Sequence, residues 1–220
     1  MFTGPNIITD GLVLYLDAAN TKSYPGSGTT WSDLSGNNNN GTLVNGPTFN
    51  SANGGSIVFD GVNDYLVCPS NNSVDVNSFT WSATVQGLYN GVGCLLYIGN
   101  PVGGGILPYK VFIGVVSSKL YINYDGILFS FGNLVNNMIY YLTITYDQNI
   151  TNMYVNGIFV GSSTARTGTL TSKTNLFLAS TIGIYEFFNG RIFNTLLYNR
   201  AISGTEVLQN YNATKSRYGL

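Results

Sequence analysis

Residues 139–160, IYYLTITYDQNITNMYVNGIFV, decide the fold class of this chain. The first half alternates with a period of two, which is the pattern of a strand with one buried face. We expect the core-facing set to be Tyr140, Leu142, Ile144 and Tyr146, and the opposite set to be Tyr141, Thr143 and Thr145. In the second half, Asn156-Gly157 supplies the positive φ angles that a tight type I′ turn requires. The segment therefore predicts antiparallel strands and a hairpin.

Similar strand-forming runs recur on both sides of this segment, each closed by glycine, asparagine or aspartate. They are Gly11–Asp17, Ser56–Phe59, Tyr65–Cys68, Phe79–Gln86, Lys110–Val116, Leu120–Tyr124, Ile139–Asp147, Asn152–Val160 and Phe188–Tyr198. A second Asn-Gly pair, Asn189-Gly190, predicts another tight hairpin turn. Regular strands without an intervening helical pattern favour an all-β, antiparallel two-sheet sandwich over a parallel α/β sheet.

One short C-terminal α-helix is predicted after the last strand. The sequence Ser203-Gly204-Thr205-Glu206 is a capping box, and Val207, Leu208 and Tyr211 follow with the spacing of an apolar stripe that packs on the sandwich. Residues 18–55 are rich in turn formers and predict a long loop with brief strands, in which we interpret Asn37–Asn40 as a solvated turn.

The composition limits the classes of partner. A length of 220 residues fits a single domain spanning residues 1–220, and only 9% of the residues are charged, with a net charge of -1. Because no basic face is available to neutralise phosphates, we expect neither nucleic acid nor membrane as a partner. The N-terminus has neither a basic region nor a long apolar stretch, so we expect no signal peptide.

Two cysteines, Cys68 and Cys94, do not make a disulfide framework in a chain of this length. We favour two buried thiols, and a pairing between them stays open.

Several stretches resemble the laminin G-like, concanavalin A-like domains found in bacterial surface proteins and bacteriophage structural proteins. They are GLVLYLDAAN (11–20), WSDLSGNNNNGTLVNGPTF (31–49), SIVFDGVNDYL (56–66), YYLTITYDQNITNMYVNGIFV (140–160) and FFNGRIFNTLLYNRAISGTEVLQNY (187–211). The resemblance implies a jelly-roll sandwich that spans nearly the whole chain. It weakens between residues 87 and 135, where we expect binding specificity to vary.

Catalytic groups are scarce. The chain has no histidine, which removes Ser-His-Asp and Cys-His arrangements. Its only glutamates are Glu186 and Glu206, and the second belongs to the capping box. Related hydrolases place Glu-x-Asp-x-Glu on one strand, and this sequence has no such motif. We therefore expect no enzyme.

Sugar binding needs aromatic faces together with amide and hydroxyl groups. The candidate ligand-binding residues are Tyr89, Asn90, Tyr109, Tyr121, Asn123 and Asp125. Of these, Tyr121, Asn123 and Asp125 share one face of a predicted strand. Calcium is the metal that oxygen ligands from aspartate, asparagine and the backbone suit, and its candidate ligands are Asp60, Asn63 and Asp64, although we favour a structural turn there.

The leading hypothesis is a non-enzymatic structural component of a bacteriophage particle, either a capsid decoration or a tail or fibre adhesin. Such a protein would assemble in the host cytoplasm and lie on the virion surface, contacting other virion proteins, copies of itself and host-surface glycans. A freestanding bacterial carbohydrate-binding module or lectin is the alternative. A glycosidase is the third class, and it would depend on Asp125 or Asp60.

Overall fold

A computed structural model of the chain describes residues 5–68, 78–99, 111–124, 127–164 and 175–220. These residues form sixteen strands, a 3-10 turn at Ala52–Gly54 and one α-helix. The elements are β1 (Leu12–Asp17), β2 (Thr30–Trp31), β3 (Gly41–Val44), β4 (Thr48–Asn50), β5 (Ser56–Asp60), β6 (Tyr65–Cys68), β7 (Phe79–Gly87), β8 (Val92–Gly99), β9 (Val111–Val116), β10 (Lys119–Tyr124), β11 (Ile127–Phe131), β12 (Ile139–Tyr146), β13 (Ile150–Val155), β14 (Ile158–Thr164), β15 (Asn175–Leu178), β16 (Asn189–Tyr198) and α1 (Gly204–Tyr218).

The strands form two antiparallel sheets. The first has the order β14-β13-β12-β7-β16-β5-β4, with β1 also paired to β16, and the second has the order β11-β10-β9-β8-β15-β6-β3-β2. Apolar side chains from both sheets meet in one large core. The predicted two-sheet sandwich with a C-terminal helix is confirmed.

Strand β12 shows why the sequence folds in this way. Leu142, Ile144 and Tyr146 lie in the core between the sheets, as the alternation predicts. Tyr141 and its neighbours on the opposite face are buried as well, because α1 packs on this side and Tyr211 contacts the Tyr141 ring at 5.9 Å. The part of the outer face of the first sheet that lies beneath α1 is therefore an interior surface.

The two Asn-Gly pairs behave differently. Asn156 (φ 51°) and Gly157 (φ 76°) form the tight turn between β13 and β14, which confirms that prediction. The predicted turn at Asn189-Gly190 is wrong, because both residues begin β16. Gly190 pairs with Gly87, and a Cβ atom at position 190 would lie 2.7 Å from the Gly87 Cα atom. This glycine permits close approach of two strands.

Helix α1 begins at the predicted capping box. The Ser203 hydroxyl accepts the Glu206 N–H at 3.3 Å, and the Glu206 carboxylate accepts the Ser203 N–H at 2.7 Å. With 15 residues the helix is longer than expected. The prediction that Leu208 packs on the sandwich is wrong, since 45% of this residue is exposed.

The buried face of α1 includes polar Asn210. Its side chain accepts the Ile8 N–H at 2.8 Å and donates to the Tyr198 hydroxyl at 3.0 Å. These bonds tie the helix to the N-terminal segment and to the closing strand. The spacing of apolar residues that predicted the stripe could not indicate a buried polar residue at position 210.

The long loop is fixed by hydrogen bonds to β1. The Asp33 carboxylate accepts the Tyr15 N–H at 2.9 Å, and the Asn39 amide donates to the Val13 carbonyl at 2.6 Å. Because Asn39 is buried, the interpretation of Asn37–Asn40 as a solvated turn is wrong at this residue.

Both cysteines are free and buried. Cys68 belongs to the core between the sheets, whereas Cys94 belongs to a separate cluster on the outer face of the second sheet. The two thiols therefore lie on opposite faces and do not pair.

Arg200 joins the start of α1 to the N-terminal segment. Its guanidinium donates to both Glu206 oxygens, at 3.1 and 2.6 Å, and contacts the Asp10 carboxylate at 2.9 Å. The hydrogen bonds from Arg200 are the main cause that lowers the pKa of Glu206 to about 2.

Substituting Glu206→Gln tests this link. A carboxylate whose pKa is lowered on folding stabilises the fold above its unfolded pKa, and the stabilisation disappears as the pH falls through the folded value. We expect the variant to lose about 1 kcal/mol of unfolding free energy at pH 7, the usual size of a lost helix cap. Urea unfolding of both proteins at neutral pH and near pH 2 measures it. An equal difference at both pH values would contradict the role of the charge.

Candidate functional site

Five aromatic side chains form a row across the outer face of the second sheet. We name Tyr65, Phe177, Tyr97, Phe112 and Tyr121 the aromatic row. They come from β6, β15, β8, β9 and β10, which are consecutive in the sheet. Because neighbouring strands lie about 4.8 Å apart, the row is about 19 Å long.

The rings of the row contact one another at distances typical of aromatic pairs. Phe177 lies 6.2 Å from Tyr65 on one side and 6.2 Å from Tyr97 on the other, between ring centroids. Tyr97 pairs in register with Phe112, which meets Tyr121 edge to face at 6.1 Å. Tilted and edge-to-face contacts of this kind hold each ring in place.

Two glycines form the floor beneath the middle of the row. A Cβ atom on Gly99 would lie 2.6 Å from the Tyr97 ring, and one on Gly114 would lie 2.7 Å from the Phe112 ring. Each glycine stands two residues after the aromatic residue on the same strand. Each ring therefore extends along its own strand over a position without a side chain.

Exposure increases toward the two ends of the row. Tyr97, Phe112 and Phe177 are buried, whereas Tyr65 and Tyr121 are partly exposed. Two partly exposed amides share this face, Asn123 beyond Tyr121 and Asn175 beyond Phe177, as the alternation along each strand requires. Rings beside amides offer both apolar contact and hydrogen bonds to a ligand with hydroxyl groups.

A tight loop borders the Tyr65 end of the row. Ile182 packs on the outer-face cluster, and the position of a Cβ atom on Gly183 lies 2.8 Å from the Tyr65 ring. The Thr181 hydroxyl donates to the Glu186 carboxylate at 2.5 Å, which closes the loop. Ile182 has a φ of 52°, an unfavourable value for a β-branched residue. Such strain persists where surrounding contacts fix the backbone.

The residues predicted to bind a ligand do not converge. Tyr121 and Asn123 lie on one face of β10, as predicted, and this is the face of the aromatic row. Tyr109 and Asp125 lie outside the described residues. Asn90 is exposed in the connection between β7 and β8, at one end of the sandwich.

Tyr89 is a core residue, so its assignment to a ligand site is wrong. The side chain is fully buried, and its hydroxyl donates to the Met138 carbonyl at 3.1 Å. The ring stacks on Phe188 at 6.5 Å. Burial raises the pKa of Tyr89 above its usual value. A ring with no exposed surface cannot stack on a sugar.

The sequence analysis missed four members of the row, namely Tyr65, Tyr97, Phe112 and Phe177. The available signal was the repeated order aromatic-isoleucine-glycine, Tyr97-Ile98-Gly99 and Phe112-Ile113-Gly114. Both copies place a ring and a glycine on the same face of a strand.

The candidate calcium ligands form a structural turn. The Asp60 carboxylate accepts the Val62 and Asn63 N–H groups at 2.8 and 3.2 Å, and the Asp64 carboxylate accepts the Asp60 N–H at 3.1 Å. The bond from Val62 is the main cause that lowers the pKa of Asp60. The Asn63 carbonyl accepts the Asn45 amide at 2.8 Å. Within the described ranges, no cluster of three or more Asp, Glu, Cys or His side chains could hold a metal.

The fold is that of a concanavalin A-like β-sandwich. The sequence model of the concanavalin A-like lectin/glucanases superfamily matches residues 59–208, more than half of the chain. The chain therefore belongs to this family, as its sequence resemblance implies. None of the curated proteins matches it.

Solved structures show the same fold at low sequence identity. Trypanosoma rangeli sialidase in complex with sialic acid has a TM-score of 0.70 and 17% identity over 94% of this chain, which spans 33% of the sialidase. The binding domain of Paraclostridial Mosquitocidal Protein 1 has a TM-score of 0.68 and 19% identity, over 93% of this chain and 52% of that one.

A third similar structure matches this chain over nearly the whole length of the matched domain. Domain 4 of AbnA, a GH43 extracellular arabinanase from Geobacillus stearothermophilus, in complex with arabinotriose, has a TM-score of 0.67 and 16% identity. The alignment covers 91% of this chain and 98% of that one.

In the described part of the chain, no helix combines the length and apolar character needed to cross a membrane.

Substituting Gly114→Ala tests the glycine floor. The new Cβ atom would lie 2.5 Å from the Gly93 carbonyl oxygen as well as against Phe112, and backbone cannot move aside cheaply. We expect a loss of about 1–3 kcal/mol in unfolding free energy, typical of overpacking. Urea unfolding measures it, with Gly91→Ala as the control, since a Cβ atom there meets nothing within 4 Å. Equal stability of the two variants would contradict the packing.

Proposed function

We propose that this chain is a non-catalytic binding module that recognises a carbohydrate through the aromatic row. The observation that carries the proposal is the pair of partly exposed rings, Tyr65 and Tyr121, at the two ends of the aromatic row, with Asn123 and Asn175 on the same sheet face. The ligand contacts the partly exposed rings, Tyr121 and Tyr65, and the buried rings between them hold these two in place.

The chemistry of the row suits a sugar. The C–H face of a pyranose ring packs on a flat aromatic ring, and amide groups exchange hydrogen bonds with its hydroxyls. A shallow contact of this kind gives an affinity near the millimolar range, or about -4 kcal/mol. The arabinotriose bound to domain 4 of the arabinanase gives independent support, because that domain shares this fold over nearly its whole length.

The carboxylates support a function without catalysis. Glycoside hydrolysis requires two carboxylates that face the scissile bond. Eight of the ten Asp and Glu residues of the sequence lie in the described ranges, and each bonds to the protein itself. These residues are Asp10, Asp17, Asp33, Asp60, Asp64, Asp147, Glu186 and Glu206.

The setting that we propose is the surface of a bacteriophage particle, as a capsid decoration or a tail or fibre component. The support is the sequence resemblance together with a charged fraction of only 9%, which suits a protein held in an assembly.

Mass spectrometry of purified bacteriophage particles tests this setting and should find the chain in them. Its recovery only as a free protein would favour the bacterial carbohydrate-binding module or lectin instead.

Substituting Tyr121→Ala tests the ligand surface. A glycan array first identifies a ligand of the wild-type chain, and titration calorimetry then compares the variants. We expect at least a tenfold loss of affinity, about 1.4 kcal/mol, because the exposed ring at one end of the row is removed. The control is Tyr211→Ala, whose ring lies on α1 on the opposite side of the sandwich. An array without any binding, or equal affinities of Tyr121→Ala and wild type, would refute the proposal.

A further inference from the structure

Six asparagines of this chain stand directly before a glycine. Such a pair can undergo deamidation, in which the main-chain nitrogen of the glycine attacks the Cγ atom of the asparagine side chain. Glycine favours the reaction because it has no Cβ atom to hinder the approach and leaves the backbone free to rotate. The six pairs are Asn40-Gly41, Asn45-Gly46, Asn53-Gly54, Asn90-Gly91, Asn156-Gly157 and Asn189-Gly190.

Hydrogen bonds hold the side-chain amides of three of these asparagines. The Asn40 oxygen accepts the Asp33 N–H at 2.8 Å, and the Asn156 oxygen accepts the Tyr141 N–H at 2.9 Å. The Asn45 amide donates at 2.8 Å to a main-chain carbonyl of the turn between β5 and β6. Ring closure turns the amide away from its partner, so each of these bonds must break before the glycine nitrogen can attack. The fold therefore protects these three asparagines.

A fourth asparagine, Asn189, is protected by the first sheet. Asn189 and Gly190 begin β16 and both pair with β5. On the other side, Gly190 pairs with Gly87 of β7. Ring closure requires rotation of the backbone at this pair, and the hydrogen bonds of the ladder resist that rotation.

Asn53 and Asn90 have neither kind of restraint. Both residues are exposed, and within the part of the chain that the structure describes neither side-chain amide has a hydrogen-bond partner. Asn53 lies in the 3-10 turn between β4 and β5 with a φ of 51°, and Asn90 lies in the connection between β7 and β8. Exposed connections of this kind open locally at little cost in free energy.

We propose that Asn53 and Asn90 are sites of spontaneous deamidation in the folded protein, whereas the fold protects the other four Asn-Gly pairs. The glycine nitrogen forms a bond to Cγ and gives up its proton. The bond from Cγ to the side-chain nitrogen breaks, and that nitrogen leaves as ammonia. Water then opens the resulting succinimide ring at either carbonyl, which gives aspartate or isoaspartate.

Deamidation changes the charge of the surface. Each conversion adds one negative charge to a chain whose net charge is only -1. The position of a Cβ atom on Gly54 lies 2.9 Å from the Arg217 side chain, whose guanidinium donates to the Asp17 carboxylate at 2.6 Å. A carboxylate in this turn therefore adds a second negative group near Arg217. The change is irreversible, needs no enzyme and does not depend on carbohydrate binding.

Peptide mapping by mass spectrometry, after incubation of the protein in mildly alkaline buffer, tests these sites. In the folded wild type we expect Asn53 and Asn90 to convert about tenfold faster than the other four asparagines, which must first open locally. The same incubation in guanidinium chloride is the control, since all six pairs should convert at similar rates once the fold is lost. If either Asn53 or Asn90 converts no faster than the four protected asparagines in the folded chain, the proposal is overturned.

Substituting Gly91→Ala gives a second measurement in the folded protein. A Cβ atom at this position meets nothing within 4 Å, so we expect the fold to be kept while the methyl group hinders ring closure. Conversion at Asn90 should slow about tenfold, which corresponds to about 1.4 kcal/mol in the barrier. Conversion at Asn53 should stay as in the wild type and serves as the internal control. Unchanged conversion at Asn90 would exclude attack by the glycine nitrogen and overturn the proposal.

Discussion

Both sheets of this protein bury side chains on their outer faces as well as between them. The first sheet buries its outer face beneath α1, through Val207, Asn210 and Tyr218. The second sheet has the aromatic row on its outer face. An apolar outer face exposed to water is unfavourable, so each sheet requires cover, a partner or a ligand. Helix α1 covers the first sheet in this way, and Ile182 of the bordering loop packs on the second.

The sequence predicted what depends on neighbouring residues along the chain. The alternation in β12, the turn at Asn156-Gly157 and the capping box at Ser203 are local patterns with a local cause. The prediction failed at Gly190, where a glycine meets the backbone of a distant strand, and at Leu208, where the packing of α1 decides exposure. The order of strands in a sheet depends on contacts between distant segments, and the alternation of residues along one strand does not predict it.

The candidate site was only partly predictable for the same reason. Tyr121 and Asn123 were found because they alternate on one strand, whereas Tyr65, Phe177 and Tyr97 join them only through the pairing of β6, β15 and β8. Tyr89 was included because tyrosine beside asparagine is typical of sugar sites, although its ring belongs to the core. Residue type alone does not distinguish a buried tyrosine from an exposed one.

The length of the aromatic row has a consequence for recognition. Tyr65 and Tyr121, its two partly exposed rings, lie at opposite ends of the row, about 19 Å apart across five strands. In the proposed function, a single sugar ring is too short to reach both ends. An extended chain of several sugars would contact both, so the spacing of the end rings favours a polysaccharide over a single sugar.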